Sequence, residues 1–190
     1  MLDVKNLLQR KTVRNFLPKK IKPSILKTAV QIACRAPTGC CSRPAILVDI
    51  SNHARDEWLA QQKAPLTAPH LFLFAGSKEI GERNAKKFLF KNFDKPEAEA
   101  AFKHFLNIKD EYIRRTVYLV AGYFSATLEA AGVSGCWIGG FNKRAAKEKL
   151  NLDGDYYPEL IFACGYVDKK NPGIHATPCE LKNFYYPKTN

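Results

Sequence analysis

Apolar residues recur along this chain at helical spacing, at strand spacing or in unbroken runs, and each pattern marks a different element. After Pro23, the residues Ile25, Leu26, Ala29, Val30 and Ala33 repeat at helical intervals. That predicts a helix with proline in its first turn, stopping near Arg35 ahead of Pro37. Residues 2–9 read as a short helix, and Ala45–Ile50 as a strand. Leu71–Ala75 is an unbroken apolar run between Pro69 and Gly76, as expected of a buried strand. Residues 53–62 look helical, as do 79–107 with a break around Asp94-Lys95-Pro96. Residues 109–131 predict one long helix, apolar on most faces after Thr116. A strand at 136–138, a helix at 143–149 and a strand at 159–166 follow, and 171–190 reads as an extended arm. There is no internal repeat and no long linker. Helices alternate with a few strands, so one layered α/β or α+β domain over 1–190 is expected.

One run raises the question of a membrane. Between Thr116 and Asn142 the only charge is Glu129, and the run is long enough to cross a bilayer. Gly132-Val133-Ser134-Gly135 interrupts it with turn chemistry. A buried helix followed by a strand fits better than a span, and no membrane partner is expected.

Composition changes this picture little. A hydrophobic fraction of 46% can fill a core. The net charge of +12 permits nucleic acid or anionic ligands as partners. The densest lysines are only pairs, at Lys19-Lys20, Lys86-Lys87 and Lys169-Lys170, which reads as a solvated surface. A basic nucleic-acid-binding module stays as an alternative, without any recognition signature to support it. Six cysteines occur without a C-x-x-C, and Met1-Leu2-Asp3-Val4-Lys5 does not open a leader. Free thiols in a reducing cytoplasm and no metal centre are the expectation. His53, His70, His104 and His175 have no ligand spacing, and there is no G-x-G-x-x-G, P-loop or G-x-S-x-G.

Three segments carry candidate chemistry. Arg10, Lys11, Thr12 and Arg14 place three cations and a hydroxyl within five residues. Such donors suit a phosphate, and the alternative is an exposed basic turn. Ala36-Pro37-Thr38-Gly39-Cys40-Cys41-Ser42-Arg43-Pro44 is a loop with two adjacent thiols. Cys136-Trp137-Ile138 leads into Gly139-Gly140, where the lack of a Cβ lets a backbone approach a flat ligand.

Together these segments resemble the nitroreductase family of FMN-dependent NAD(P)H oxidoreductases. The resemblance runs from about Leu8 to Val167 and implies an α+β fold of three layers, with a mixed central sheet flanked by helices. It implies a homodimer binding FMN at its interface, with 109–131 supplying much of that interface. By the same resemblance, Arg10 and Lys11 would meet the FMN phosphate, Thr12 the ribityl chain and Arg14 the pyrimidine edge. The loop with Pro37, Thr38, Gly39, Cys41 and Arg43 would reach the flavin of the other subunit. Cys41 and Arg43 replace the family's usual Asn and Gln. Backbone amides at Ile138, Gly139 and Gly140 would face the flavin ring, and Gln61 or Lys63 would touch the pyrimidine. His175 stands where the family commonly has a phosphate-binding Arg. The implied reaction passes a hydride from NAD(P)H through flavin to a nitroaromatic, quinone or similar small-molecule acceptor, with no side chain acting as acid or base. A flavin-binding protein with another reaction or lost turnover is the alternative on the same fold.

Overall fold

The computed structural model describes residues 2–54, 56–59, 64–152 and 154–170. The extended arm expected at 171–190 lies outside the described residues. Ten elements follow in order: α1 (Val4–Leu8), α2 (Pro23–Ala33), β1 (Ala45–Asp49), α3 (Ala64–Thr67), β2 (His70–Ser77), α4 (Lys78–Asn92), α5 (Lys95–Ala130), β3 (Ser134–Ile138), α6 (Lys143–Lys149) and β4 (Tyr156–Gly165).

The four strands form one antiparallel sheet in the order β1-β2-β4-β3. The parallel component of the expected mixed sheet is a single bridge, Thr12 to Gly135, on the outer edge of β3. Alternation along the strands divides the core in two. Phe72, Phe74, Leu160 and Phe162 face one side, where α2 and α5 cover them with Ala29, Ala33, Val117, Ala121, Phe124 and Leu128. Leu71, Leu73, Cys136, Ile138, Ile161 and Ala163 face the other, against Val13, Trp58, Leu59 and Ala146 of α6. The result is the expected α+β arrangement of helix, sheet and helix layers.

Local chemistry sets the boundaries. Ser77 accepts from the Ile80 N–H and caps α4; Asp94 accepts from the Glu97 N–H and caps α5, with Pro96 in its first turn. Asn142 caps α6 by accepting from the Ala145 N–H. These caps explain why the break at 94–96 was legible. Two expectations need correction. The stretch from 95 to 130 is one helix of 36 residues, because Asn107-Ile108-Lys109 contains nothing that stops a helix. The stretch 53–62 is not one helix: Ser51–His53 and Glu57–Leu59 are separate single turns, and 60–63 lies outside the described residues. There Asp56 accepts from the Trp58 indole N–H at 3.0 Å and pairs with His53 at 2.8 Å, so side chains organise the segment locally.

Helix α5 ends at Ala130 and is followed by Gly132, whose φ of +77° is the left-handed conformation common after a helix. The Val133 N–H then donates to the Leu128 carbonyl at 2.9 Å and turns the chain into β3. The apolar run over 116–142 is thus a helix and a strand, and among the described residues no helix is long and apolar enough to cross a membrane. Between the layers, the buried Glu159 carboxylate of β4 accepts from Arg114 of α5 at 3.3 Å and from Lys143 of α6 at 3.2 Å.

Gly135 has a steric duty. A Cβ there would run into the Phe162 ring and come within 2.8 Å of the Ala163 carbonyl. Gly135→Ala is expected to cost about 1–3 kcal/mol through overpacking, read as a lower urea midpoint at unchanged m-value.

His70 gives the fold a pH dependence. Its Nε2 accepts from the Ile21 N–H at 3.2 Å, so the neutral ring carries its proton on Nδ1. Burial pushes its pKa below the ordinary value, and Lys20 adds to this against the opposing pull of Asp49. The unfolded chain therefore binds the proton first as pH falls. Stability from this contact is full above about pH 6.5 and is lost as pH drops through the lower folded value. The urea midpoint should fall between pH 7.5 and pH 5.5, and His70→Gln should remove part of that fall.

Candidate functional site

The N-terminal segment lies along the outer edge of β3. The Val13 N–H donates to the Gly135 carbonyl at 3.1 Å, Thr12 bridges Gly135, and the Leu17 N–H donates to the Tyr166 carbonyl at 2.9 Å. Val13 is fully buried in the core, whereas Arg10 and Arg14 are exposed. Period-two alternation therefore turns Arg10, Thr12 and Arg14 to one side. They line a cleft of about 390 Å³ together with Ser125 and Glu129 of α5, Cys136 and Trp137 of β3, and Phe162 of β4. Lys11 is half-buried between them and does not line the cleft.

The walls of the cleft differ in character. Trp137 packs on Phe162 with ring centroids 4.4 Å apart and stands 39% exposed at the mouth. Glu129 is 5% exposed at the back. Burial raises its pKa to about 7; Arg10, the Gly135 backbone and the Ser134 hydroxyl pull against that rise. Burial also raises the Cys136 thiol, with Arg14 opposing. The cleft thus combines two guanidinium groups, the hydroxyls of Thr12 and Ser125, one buried carboxyl and an aromatic wall.

The third segment continues from the same strand. The Ile138 side chain is core, so what it can offer a ligand is its backbone. Gly139 and Gly140 are exposed beyond it, and a Cβ on Gly139 would meet nothing within 4 Å. That leaves open space against the backbone beside Trp137.

Pro37, Thr38, Gly39, Cys41 and Arg43 are elsewhere. Their loop packs on α4 and the middle of α5. The Asn84 amide donates to the Ser42 carbonyl at 3.0 Å, and Gly39 lies against Tyr112, whose hydroxyl is 2.6 Å from where a Cβ would stand. Cys40, Cys41 and Arg43 all have positive φ, between 40° and 50°, so the loop is tightly wound. Both thiols are half-exposed, not the buried pair that adjacent cysteines usually form. From Tyr112 to Glu129, α5 rises about 25 Å at ~1.5 Å per residue. The structure therefore brings the Arg10 block beside β3 and keeps the 37–43 loop far from that cleft within one chain. Gln61, Lys63 and His175 lie outside the described residues.

Between loop and cleft, α5 presents an apolar face to solvent. Tyr118 is 54% exposed and Leu119 44%, with Tyr123 beside them and no side chain on Gly122. With Arg114 and Arg115 they border a shallow groove of about 640 Å³.

Sequence reasoning missed Glu129, Trp137, Ser125, Cys136 and Phe162 as lining residues. One signal was available for Glu129: an acid alone in a long apolar run must be buried with a partner or a purpose. Ser125 and Phe162 carried no such signal, because only the packing of α5 across β4 brings them to the cleft.

Comparison with known proteins follows the same lines. The model of the nitroreductase family matches residues 7–166. A nitroreductase-like protein from Streptococcus mutans shares the fold at TM-score 0.78 and 21% identity, over 98% of this chain and 98% of that one. A protein from Exiguobacterium sibiricum 255-15 in complex with FMN superposes at TM-score 0.75 and 15% identity, over 97% and 96% of the two chains. A candidate NAD(P)H:FMN oxidoreductase from Staphylococcus epidermidis ATCC 12228 does so at 0.76 and 16%, over 96% and 94%. No curated protein matches the chain.

Proposed function

Because the chain belongs to the nitroreductase family, we propose that it is an FMN-dependent oxidoreductase that draws electrons from NAD(P)H and delivers them to a nitroaromatic, quinone or similar small acceptor. The convergence of Arg10, Thr12 and Arg14 on one cleft with Trp137 carries this reading. We take the chain as one FMN-binding unit acting in the cytoplasm.

The residues present fit the cofactor. A phosphate monoester needs charge-assisted donors, and the Arg10 guanidinium offers a planar fork at the cleft. A flat ring system needs backbone that it can approach closely, and Gly139 leaves that space open. Bound there, FMN would supply the two-electron redox chemistry, and the protein the binding, orientation and electrostatics. Arg10 is assigned to the phosphate, with Lys11 beside it, Thr12 to the ribityl hydroxyls and Arg14 to the pyrimidine edge. A cation at that edge stabilises negative charge on a reduced ring. The backbone of Ile138, Gly139 and Gly140 is assigned to the ring face. No side chain in this scheme donates or removes a proton at carbon, in keeping with the dispersed histidines. Lys63 remains a proposed pyrimidine contact on its position in sequence.

The protein is also proposed to act as a homodimer. The exposed Tyr118-Leu119-Tyr123 face is the kind of apolar surface that marks an interface. Two copies pairing these faces antiparallel, about a two-fold axis near Leu119 and Gly122, would set the Tyr112 level of one helix beside the Leu128 level of the other. That arrangement would bring Pro37, Thr38, Gly39, Cys41 and Arg43 of one subunit to the Arg10 cleft of the second. The distance between loop and cleft within one chain supports this reading.

Two measurements test the proposals. Arg10→Ala should weaken FMN roughly tenfold to hundredfold, since a charge-assisted hydrogen bond contributes about 1.5–3 kcal/mol. Riboflavin, which lacks the phosphate, should be affected far less; equal losses in a fluorescence titration would refute the phosphate assignment, and failure to bind FMN at all would refute the cofactor. For the assembly, light scattering at micromolar concentration should give about twice the subunit mass of 21.4 kDa. Leu119→Glu should halve it, and a wild-type mass of one subunit would exclude the dimer.

A further inference from the structure

Glu129 has no role in the scheme above, yet it is an acid at the back of a cleft meant for an anion. It lies in the last turn of α5, almost fully buried, and shares the cleft with Arg10, Thr12 and Arg14. The N-terminal segment contributes Arg10, and the start of β3 contributes the Ser134 hydroxyl and the Gly135 N–H. Ser125, Arg14 and the Cys136 thiol line the same cleft, and the Cys164 thiol of β4 feels the Glu129 charge from the core side. From α1 comes Asn6, whose amide donates to the Ala130 carbonyl at 3.2 Å, and from its N-cap comes Asp3, whose carboxylate accepts from the Lys5 N–H. The Arg10 charge thus acts on Glu129, and the same Arg10 is the proposed phosphate ligand.

We propose, resting on the FMN reading, that Glu129 is part of the phosphate subsite and takes up a proton when the phosphate of FMN binds. The physical reason is competition for one guanidinium. A carboxylate and a phosphate dianion cannot both stay fully charged in one small, partly dehydrated cleft. The phosphate is dianionic above about pH 6, so the group that yields is the buried carboxyl, already raised toward neutrality by its burial. Protonated, Glu129 becomes an O–H donor toward a phosphate oxygen, where a carboxylate would repel it. The subsite then favours a phosphate monoester over a neutral ribityl end, and its affinity falls as pH rises.

The test is calorimetric titration of the flavin-free full chain at pH 8, in two phosphate-free buffers of different ionisation enthalpy, with FMN and separately with riboflavin. FMN should bring in close to one proton and riboflavin none. The Kd for FMN should rise between pH 7 and pH 9, approaching about tenfold per unit. Glu129→Gln should bind FMN with little proton uptake and a nearly flat pH profile. Three results would overturn the inference: FMN binding without proton uptake, equal uptake with riboflavin, or undiminished uptake in Glu129→Gln. The comparison of the two ligands needs no variant, so the inference stays open to refutation even if Glu129→Gln does not fold. FMN that binds without a proton sinks only this inference, whereas a chain that binds no FMN sinks the functional reading itself.

Discussion

Along the outer edge of β3 the Val13 N–H meets the Gly135 carbonyl at 3.1 Å, and the candidate site hangs from that backbone contact. It fixes the register of the N-terminal segment, so that Val13 enters the core while Arg10, Thr12 and Arg14 turn toward α5. It depends on Gly135 having no side chain, since the Phe162 ring fills the place a Cβ would take. It depends also on the left-handed turn at Gly132, which swings the chain from the end of α5 into β3. A slip of one residue would exchange the faces, burying guanidinium groups and exposing Val13. The register is therefore held by core burial on one side and by charge on the other.

Helix α5 does the rest of the positioning. One uninterrupted helix carries Arg114 to the Glu159 carboxylate, Phe124 to the aromatic core of the sheet and Glu129 to the back of the cleft. Its rigidity separates the 37–43 loop from the cleft by a fixed length, which is what makes an arrangement across two subunits geometrically economical. The same helix leaves Tyr118 and Leu119 exposed, a face that no other described residue buries.

The electrostatics of the cleft is balanced, not simply basic. The net charge of +12 is spread over solvated lysines, but at the cleft two arginines face one buried acid. Whatever anion binds there meets a carboxyl as well as guanidinium groups, which is a more selective environment than a positive patch.

Much of the fold was legible in the sequence. Alternation and unbroken apolar runs gave the strands; caps such as Asp94 with Pro96, and Gly132 after the apolar run, gave the ends of α5. What local pattern could not give was the continuity of α5 through 107–109, where no residue forbids or demands a helix and packing decided. It could not give the 51–59 turns either, since the His53-Asp56-Trp58 contacts that organise them depend on side-chain geometry. Arg10, Thr12 and Arg14 were readable as a group, because three donors at alternate positions need only an extended backbone to share a face. Glu129 and Phe162 joined them only through tertiary structure: they are 33 residues apart, on a helix and a strand that meet because Phe124 and Phe162 pack against each other on one face of the sheet. Which residues can form helices and strands was a local matter, settled along the chain itself, since caps, glycines and periodicity act within a few residues. Only the packed structure decided which side chains face one cleft, because that depends on contacts between residues far apart in the chain.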